Sequence, residues 1–252
     1  MRYRGVEGVI LTGPALAGLK RGDLDWLADL DGLKAVELNY ERVPPIPPEV
    51  LPRLESFQRI GRSSQVISTD QLPNVRGLTI SPVAGLDGGL DACPHLVSVA
   101  LAGFDHPDLR ILDGCTNLKQ AKIQAKRNAG PISFGWEHPP ERLEYLQLIG
   151  LPITGLHGID QLPHLWGLHV DLTRVPEHPP RVDLTPLRGC RKLAGLTLGM
   201  AGHLTHLEVL AELPELDSTV VVEGMHDPST VDVPGLRVIR LTPRQARNAT
   251  TD

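Results

Sequence analysis

The chain of 252 residues is long enough to bury a sizeable core, and an aromatic content of only 4% requires that core to be largely aliphatic. Its 25 Lys and Arg residues and 30 Asp and Glu residues are interspersed and give a net charge of -5, which argues against a nucleic-acid-binding surface. No apolar run approaches the roughly 20 residues of a transmembrane helix, and Glu7 and Pro14 interrupt the only stretch that resembles a signal peptide. We therefore expect a cytoplasmic protein with no membrane partner.

A six-residue pattern, LxxLxL, recurs along the whole chain. Its eleven copies begin at Val6, Leu33, Leu54, Val75, Leu96, Leu118, Leu143, Leu165, Leu193, Leu216 and Leu236, with the copies at Val6, Leu54, Leu118 and Leu216 weaker than the rest. The starts lie 20 to 28 residues apart, and half of the intervals are 21 or 22 residues. Such regularity indicates a repeat protein.

Each copy predicts a short strand followed, before the next copy, by a turn of helix. The fourth and sixth positions are apolar and alternate with polar neighbours, which is typical of a strand with one buried face. The segment between strands, as in Leu184 to Leu193, is too short and too rich in Pro and Gly for a full helix. We expect 3₁₀ or irregular structure there.

The stretch DLTPLRGCRKLAGLTL, Asp183 to Leu198, resembles the leucine-rich-repeat superfamily, in particular the 21- to 22-residue repeats of internalin-like bacterial proteins. The resemblance covers nearly the whole chain. It implies an α/β solenoid of about eleven repeats, in the form of a right-handed horseshoe or arc, with a parallel sheet on its concave face and 3₁₀ or irregular segments on its convex face. We expect a single domain over residues 1–252, with caps at about 1–5 and 243–252.

The sequence departs from the family pattern at one set of positions. The Asn that usually follows the last strand leucine, with two residues between them, is replaced by Phe104, Leu151, Thr173 and Ala201. The solenoid interpretation does not depend on this Asn, but the hydrogen bonding of the loops does.

Cysteine and histidine offer little sign of a metal or redox site. Cys93, Cys115 and Cys190 each precede the first leucine of a repeat by three residues, where other repeats hold Leu or Val, so we interpret them as buried apolar side chains. His203 and His206 could share a helical face, but the spacing lacks the Glu of an HExxH motif. We predict no cofactor and no metal.

The candidate site lies on the strands of three central repeats. Residues between the core leucines point to the concave face, and there these repeats carry large or charged side chains. The predicted partner-binding residues, which we call the central cluster, are Lys119, Lys122, Glu144, Tyr145, Gln147, Trp166, His169 and Asp171. The flanking repeats offer small residues instead. Tyr and Trp contribute much of the binding energy at protein interfaces, so this pattern predicts a contact surface.

The preferred function is a recognition or adaptor protein that binds a protein or peptide on the concave face. An enzyme acting on a peptide or small molecule is the alternative, with His169 between Glu144 and Asp171 as an activated base, although we find no nucleophile motif. A homo-oligomer is a further possibility, through an exposed edge at the apolar run Val220 to Val222.

Three segments are Pro-rich, Val43 to Val50, Glu137 to Pro140 and Glu177 to Pro180, and the last two fall where the repeats lengthen. We interpret them as stiff turns on the convex side. A second docking surface is the alternative.

Overall fold

The computed structural model describes residues 5–20, 22–153, 155–171, 181–199, 203–222 and 237–241, without the side chains of 14, 181, 203, 218–222 and 237–241. Its strands, in chain order, are β1 (Gly8–Thr12), β2 (Ala35–Arg42), β3 (Ser56–Arg62), β4 (Ile67–Ser68), β5 (Gly77–Ser81), β6 (Leu86–Asp87), β7 (Ser98–Phe104), β8 (Gln120–Ala125), β9 (Tyr145–Ile149), β10 (Gly167–Asp171), β11 (Arg181–Asp183), β12 (Gly195–Gly199), β13 (His203–Thr205), β14 (Ser218–Val222) and β15 (Arg237–Leu241).

The main element is an eleven-stranded sheet with the order β1-β2-β3-β5-β7-β8-β9-β10-β12-β14-β15. All of its strand pairs are parallel, and two further parallel pairs, β4 with β6 and β11 with β13, lie outside it. Each copy of the LxxLxL pattern contributes one strand to this sheet. The predicted parallel solenoid is therefore confirmed.

Most segments between the strands contain short 3₁₀ turns, and the one between β8 and β9 is irregular, so both forms of the expected structure occur. Among the described residues the 3₁₀ turns are Gly13–Ala15, Asp25–Asp29, Leu51–Arg53, Thr69–Gln71, Val83–Gly85, Leu90–Ala92, Arg110–Leu112, Ile159–Gln161 and Thr185–Gly189. One four-residue α-helix, α1 (Val209–Glu212), replaces the 3₁₀ turn late in the chain. No helix in the described part of the chain has the length and apolarity to cross a bilayer.

The strand register follows the repeat frame from β1 to β14. The residues at the fourth repeat position are Cα partners across neighbouring strands: Val9, Val36, Phe57, Leu78, Val99, Ala121, Leu146, Leu168, Leu196 and Thr219. A slip of one residue would turn the whole apolar set to the other face, so burial fixes this register. The last pair is different: Val220 rather than Thr219 is opposite Ile239, and no contact of the described residues explains this offset.

A single continuous cluster of buried apolar residues runs from Leu16 to Leu213 behind the sheet. Phe104 and Leu151, which stand where the family has Asn, are fully buried members of it. Apolar packing thus replaces the usual Asn contacts at these two positions, while Thr173 and Ala201 lie outside the described residues.

The three cysteines are buried and free, as predicted. Burial raises the pKa of Cys93 to about 11 and the pKa values of Cys115 and Cys190 to about 12. The Sγ atoms of Cys93 and Cys190 lie 3.5 and 3.4 Å from the carbonyl oxygens of Thr69 and Ile159. These thiols are therefore protonated packing residues.

A different asparagine contact links neighbouring repeats. Asn74 and Asn117 stand just before the first apolar residue of their repeats, and each donates from Nδ2 to a proline carbonyl of the preceding repeat, Pro52 and Pro94, at 2.8 Å. This hydrogen bond satisfies a turn carbonyl that has no partner in the sheet.

Arg59 is an exception within the core. It occupies the sixth position of its repeat, where an apolar side chain is expected, and is only 1% exposed. Its guanidinium donates to the carbonyl oxygens of Gln65 at 2.9 Å and Gly85 at 2.7 Å, and burial lowers its pKa. A Cβ at Gly85 would clash with the guanidinium, so this glycine provides the space that Arg59 fills.

The side chain of Gln65 holds the first Pro-rich segment, Val43 to Val50, with the pair of backbone hydrogen bonds that a neighbouring strand would form. The side-chain amide of Gln65 accepts from Ile46 N at 2.8 Å and donates to Ile46 O at 2.9 Å. Val43, Pro44, Ile46, Pro47 and Val50 are buried, so the segment is an ordered turn of the core, which supports the first of the two interpretations. The segment Glu177 to Pro180 lies outside the described residues.

Of three further expectations, two differ from the structure and one lies mostly outside the described residues. The run Val220 to Val222 belongs to β14, which lies between β12 and β15. Because the following repeat supplies another strand, this run is not at a sheet edge. His203 lies in β13 and His206 follows that strand with φ of 59°, so the two histidines do not share a helical face. Of the predicted caps, only Gly5 is among the described residues.

Candidate functional site

The central cluster lies on β8, β9, β10 and the residues just before them. At the fifth repeat position, Lys122, Gln147 and His169 are direct neighbours across these strands. Lys119, Glu144 and Trp166 form a second row, at the second repeat position. Alternation turns the fifth-position row to the face opposite the core, which we call the exposed sheet face. The second row precedes the strands, and the ring of Trp166 lies against Tyr145 on that face. The structure thus brings the predicted site residues together on adjacent strands, about 4.8 Å apart.

The second row begins with an ion pair. Lys119 Nζ donates to Glu144 Oε1 at 2.8 Å. This hydrogen bond lowers the pKa of Glu144, with smaller contributions from the positive charge of Lys119 and from Trp166. Glu144 is therefore an anion neutralised by Lys119.

An aromatic pair forms the middle of the cluster. The rings of Tyr145 and Trp166 lie 5.7 Å apart between centroids, tilted by 41°, which is a favourable arrangement for two aromatic side chains. Trp166 is 48% exposed, although large apolar side chains of the described residues are mostly buried. The pair presents an apolar surface to solvent.

The Tyr145 ring leans over Gly167 on the neighbouring strand. A Cβ built at Gly167 would lie 2.5 Å from Tyr145 Cδ2, so no other residue allows this ring position. Burial by this packing raises the pKa of the Tyr145 phenol. At Gly195, the equivalent position on β12, a Cβ would meet no atom within 4 Å. The aromatic pair therefore has open space beside it.

His169 is half-buried and is neutral near pH 7. Burial lowers the pKa of His169, Asp171 opposes this shift by attraction, and Lys122 adds to it by repulsion. Of the two carboxylates that the sequence places beside His169, Asp171 contributes to its pKa, whereas Glu144 forms its ion pair with Lys119. The proposed activation of His169 by both carboxylates is thus not the observed arrangement.

The remaining members differ in their contacts. Lys122 is exposed and has no carboxylate partner among the described residues, and Gln147 is half-buried with no side-chain hydrogen bond in that part of the chain. Asp171 has an interaction of its own at the end of β10.

Two clefts of the described chain lie elsewhere. One is bounded by the first Pro-rich segment together with Asp25 and Gln65, and the other by the loop around His138 with Asn117 and Arg142. Neither contains a residue of the central cluster. Within the described residues no three His, Cys, Asp or Glu side chains are placed to hold a metal ion.

Sequence reasoning missed two features of this face. Gly167 shapes the site by having no side chain, and a glycine in a strand gives only a weak signal of close approach. Beyond Val97, the second-position row also carries alternating charges, with Lys34 Nζ 3.0 Å from Glu55 Oε1 and Arg76 at the same position of the next repeat. The spacing of these charges by one repeat each was the available signal.

The structure is similar to solved leucine-rich-repeat proteins. The functional domain of InlJ from Listeria monocytogenes, which includes a cysteine ladder, matches 86% of this chain over 50% of its own length, with a TM-score of 0.53 and 13% sequence identity. The chain thus spans about half the length of that domain. The internalin InlF from Listeria monocytogenes matches 92% of this chain and 86% of its own length at a TM-score of 0.40 and 12% identity.

A leucine-rich-repeat protein of Leptospira interrogans matches 93% of this chain and 90% of its own length at a TM-score of 0.33 and 14% identity. No protein-family model and no curated protein matches the sequence. At these identities the likeness to InlJ concerns the fold alone. The chain has the internalin-like leucine-rich-repeat fold that its repeats predict.

Proposed function

We propose that this leucine-rich-repeat chain is a recognition module that binds a protein or peptide segment on its exposed sheet face, with the central cluster as the contact site. One observation carries the proposal. The Tyr145–Trp166 pair leaves 48% of Trp166 in solvent on the exposed sheet face. Exposed aromatic side chains with polar tips are the groups that most often dominate binding energy at protein interfaces.

The setting of the pair supports the same function. Charged and amide side chains border it, as in the polar rim of an interface: the Lys119–Glu144 ion pair on one side and Lys122 and Gln147 on the other. The hydrogen-bonded parallel sheet holds these groups in place before a partner arrives, which lowers the entropic cost of binding. Three free, buried thiols suit a reducing compartment, and we propose a cytoplasmic location on this ground.

The enzymatic alternative has one specific observation in its favour, the lowered pKa of half-buried His169 beside Asp171. A neutral imidazole at neutral pH can accept a proton. An active site also needs converging polar groups in a pocket, and the two clefts described above lie away from His169. We therefore place recognition first.

The test is affinity capture with cross-linking mass spectrometry, comparing wild type with a Tyr145→Ala, Trp166→Ala, His169→Ala variant. A partner that cross-links to Lys119 or Lys122 and is lost from this variant supports the proposal. Trp26→Ala is the matched control, because Trp26 is 43% exposed but lies in a 3₁₀ turn away from the cluster. A partner retained by the triple variant, or lost equally from the control, contradicts it.

A further inference from the structure

The charges of the central cluster are not all neutralised within the protein. Lys119 and Glu144 pair at 2.8 Å, and Asp171 has an interaction of its own. Lys122 is the one lysine of the cluster without a carboxylate partner among the described residues. Its direct neighbours at the fifth repeat position are Ala100 and Gln147, which are both uncharged. The site therefore presents a single unpaired cation near an aromatic pair.

The register fixes how far Lys122 lies from Trp166. Lys122 on β8 pairs with Gln147 on β9, which pairs with His169 on β10, and Trp166 stands three residues before His169. Two strand spacings of about 4.8 Å and three residues of about 3.3 Å give a Cα separation of about 14 Å.

That distance suits an extended peptide. Residues four apart in an extended chain are separated by about 13 Å and point to the same side, because side chains alternate. A helix would need about nine residues to span the same distance. An extended segment is thus the short element that can contact Trp166 and Lys122 from one face.

The surface between Trp166 and Lys122 is open to such a segment. Tyr145 leans onto Gly167, toward β10 and away from Lys122. The side chains of Gln120, Gln124 and Gln147 make no hydrogen bonds within the described residues, so their amides are available to donors and acceptors of a peptide backbone.

We propose that the central cluster binds an extended acidic segment of a partner protein, in which an apolar side chain rests on Trp166 and a side-chain carboxylate four residues away pairs with Lys122. The inference rests on the proposed function and adds the chemistry and spacing of the partner. A carboxylate is the complement of an unpaired ammonium, and Lys122 forms no ion pair with Asp171 among the described residues, where Asp171 has an interaction of its own.

The experiment is selection from a displayed peptide library with nine random residues between constant flanking sequences. The flanks ensure that no selected carboxylate is a free chain terminus. Wild type, Trp166→Ala, Lys122→Gln and Lys122→Glu are the targets, and Lys34→Gln, just before β2, is the control for loss of an exposed lysine away from the cluster. We expect wild type and the control to select an apolar residue four positions from Asp or Glu. We expect Lys122→Glu to select Lys or Arg at the acidic position.

Synthetic versions of the selected peptides then measure the effect of charge. Changing the acidic residue to its amide weakens binding to wild type about fivefold and leaves binding to Lys122→Gln unchanged. Sequences that need Trp166 but show no acidic residue at that spacing overturn this inference and leave the proposed function standing. An acidic preference that Lys122→Gln retains also overturns it, and no Trp166-dependent sequence at all overturns both proposals.

Discussion

Replacing Gly167 with alanine should rearrange the aromatic pair while leaving the fold intact. The new Cβ would lie 2.5 Å from Tyr145 Cδ2 and 3.0 Å from Cε2, so the ring must turn away from β10 and from Trp166. Alanine in a strand interior is about 0.5–1 kcal/mol better than glycine. Forcing the Tyr145 ring off its rotamer costs about as much. The net change in the free energy of unfolding should therefore be close to zero.

The matched variant is Gly195→Ala, at the same position of the next strand, where a Cβ meets nothing within 4 Å. It should keep the stabilisation of about 0.5–1 kcal/mol, with the ring pair unchanged. Urea unfolding gives the stability of each variant, and near-ultraviolet circular dichroism reports the Tyr145–Trp166 arrangement. We expect a changed spectrum only for Gly167→Ala. The same spectrum and the same gain in stability for both variants would refute the packing argument.

Gln65→Ala removes both hydrogen bonds to Ile46, so it should lower the free energy of unfolding by about 1–3 kcal/mol and speed hydrogen exchange at the Ile46 amide; unchanged exchange would contradict this role. Arg59→Lys cannot keep both carbonyl contacts of the guanidinium, so it should lower the free energy of unfolding by about 1.5–3 kcal/mol in denaturant titrations. An unchanged free energy of unfolding would contradict this role of Arg59. Because folding lowers the pKa of His169, the folded state binds fewer protons than the unfolded state, and the free energy of unfolding should fall as the pH drops below about 6.5. His169→Gln should make this fall shallower in unfolding curves measured between pH 7 and 5. The same pH dependence for wild type and His169→Gln would contradict the prediction. With thiol pKa values of about 11 to 12, the three cysteines should react with a thiol reagent at pH 8 only as fast as the protein unfolds, whereas rapid labelling of the native protein would show exposed thiolates.

The repeat frame could be predicted because it is written in apolar residues at fixed spacing. Leu78, Val99 and Leu146, among others, occupy the same position of successive repeats, and burial leaves only one face and one register for them. Even Ala121, in a weak copy of the pattern, aligns with these residues. The stacked strands enforce the frame where a single copy is poor.

Arg59 shows where the pattern fails. Its position in the repeat predicts a core side chain, but its charge predicts exposure, and the sequence alone does not decide between them. The structure resolves the conflict with two carbonyl acceptors and the space at Gly85, which are 6 and 26 residues away along the chain. Such long-range compensation has no local signal.

The candidate site was predictable as a set of neighbours but not in its internal contacts. Alternation places Tyr145 and His169 on one face, and the repeat spacing places their strands side by side. Trp166 precedes β10, so alternation alone does not place its ring beside Tyr145. Rotamers decide the rest: Tyr145 covers Gly167, and Glu144 turns to Lys119 rather than to His169. These choices depend on packing between strands, which the period of the sequence does not contain.

The central claim is that a partner binds at the aromatic pair on the exposed sheet face. The most direct measurement is the affinity of a selected peptide or captured partner for Trp166→Ala compared with Trp26→Ala, two tryptophans that are 48% and 43% exposed. The account predicts a loss of at least about tenfold for Trp166→Ala and an unchanged affinity for Trp26→Ala. Equal affinities for both variants, or a loss confined to Trp26→Ala, would contradict it.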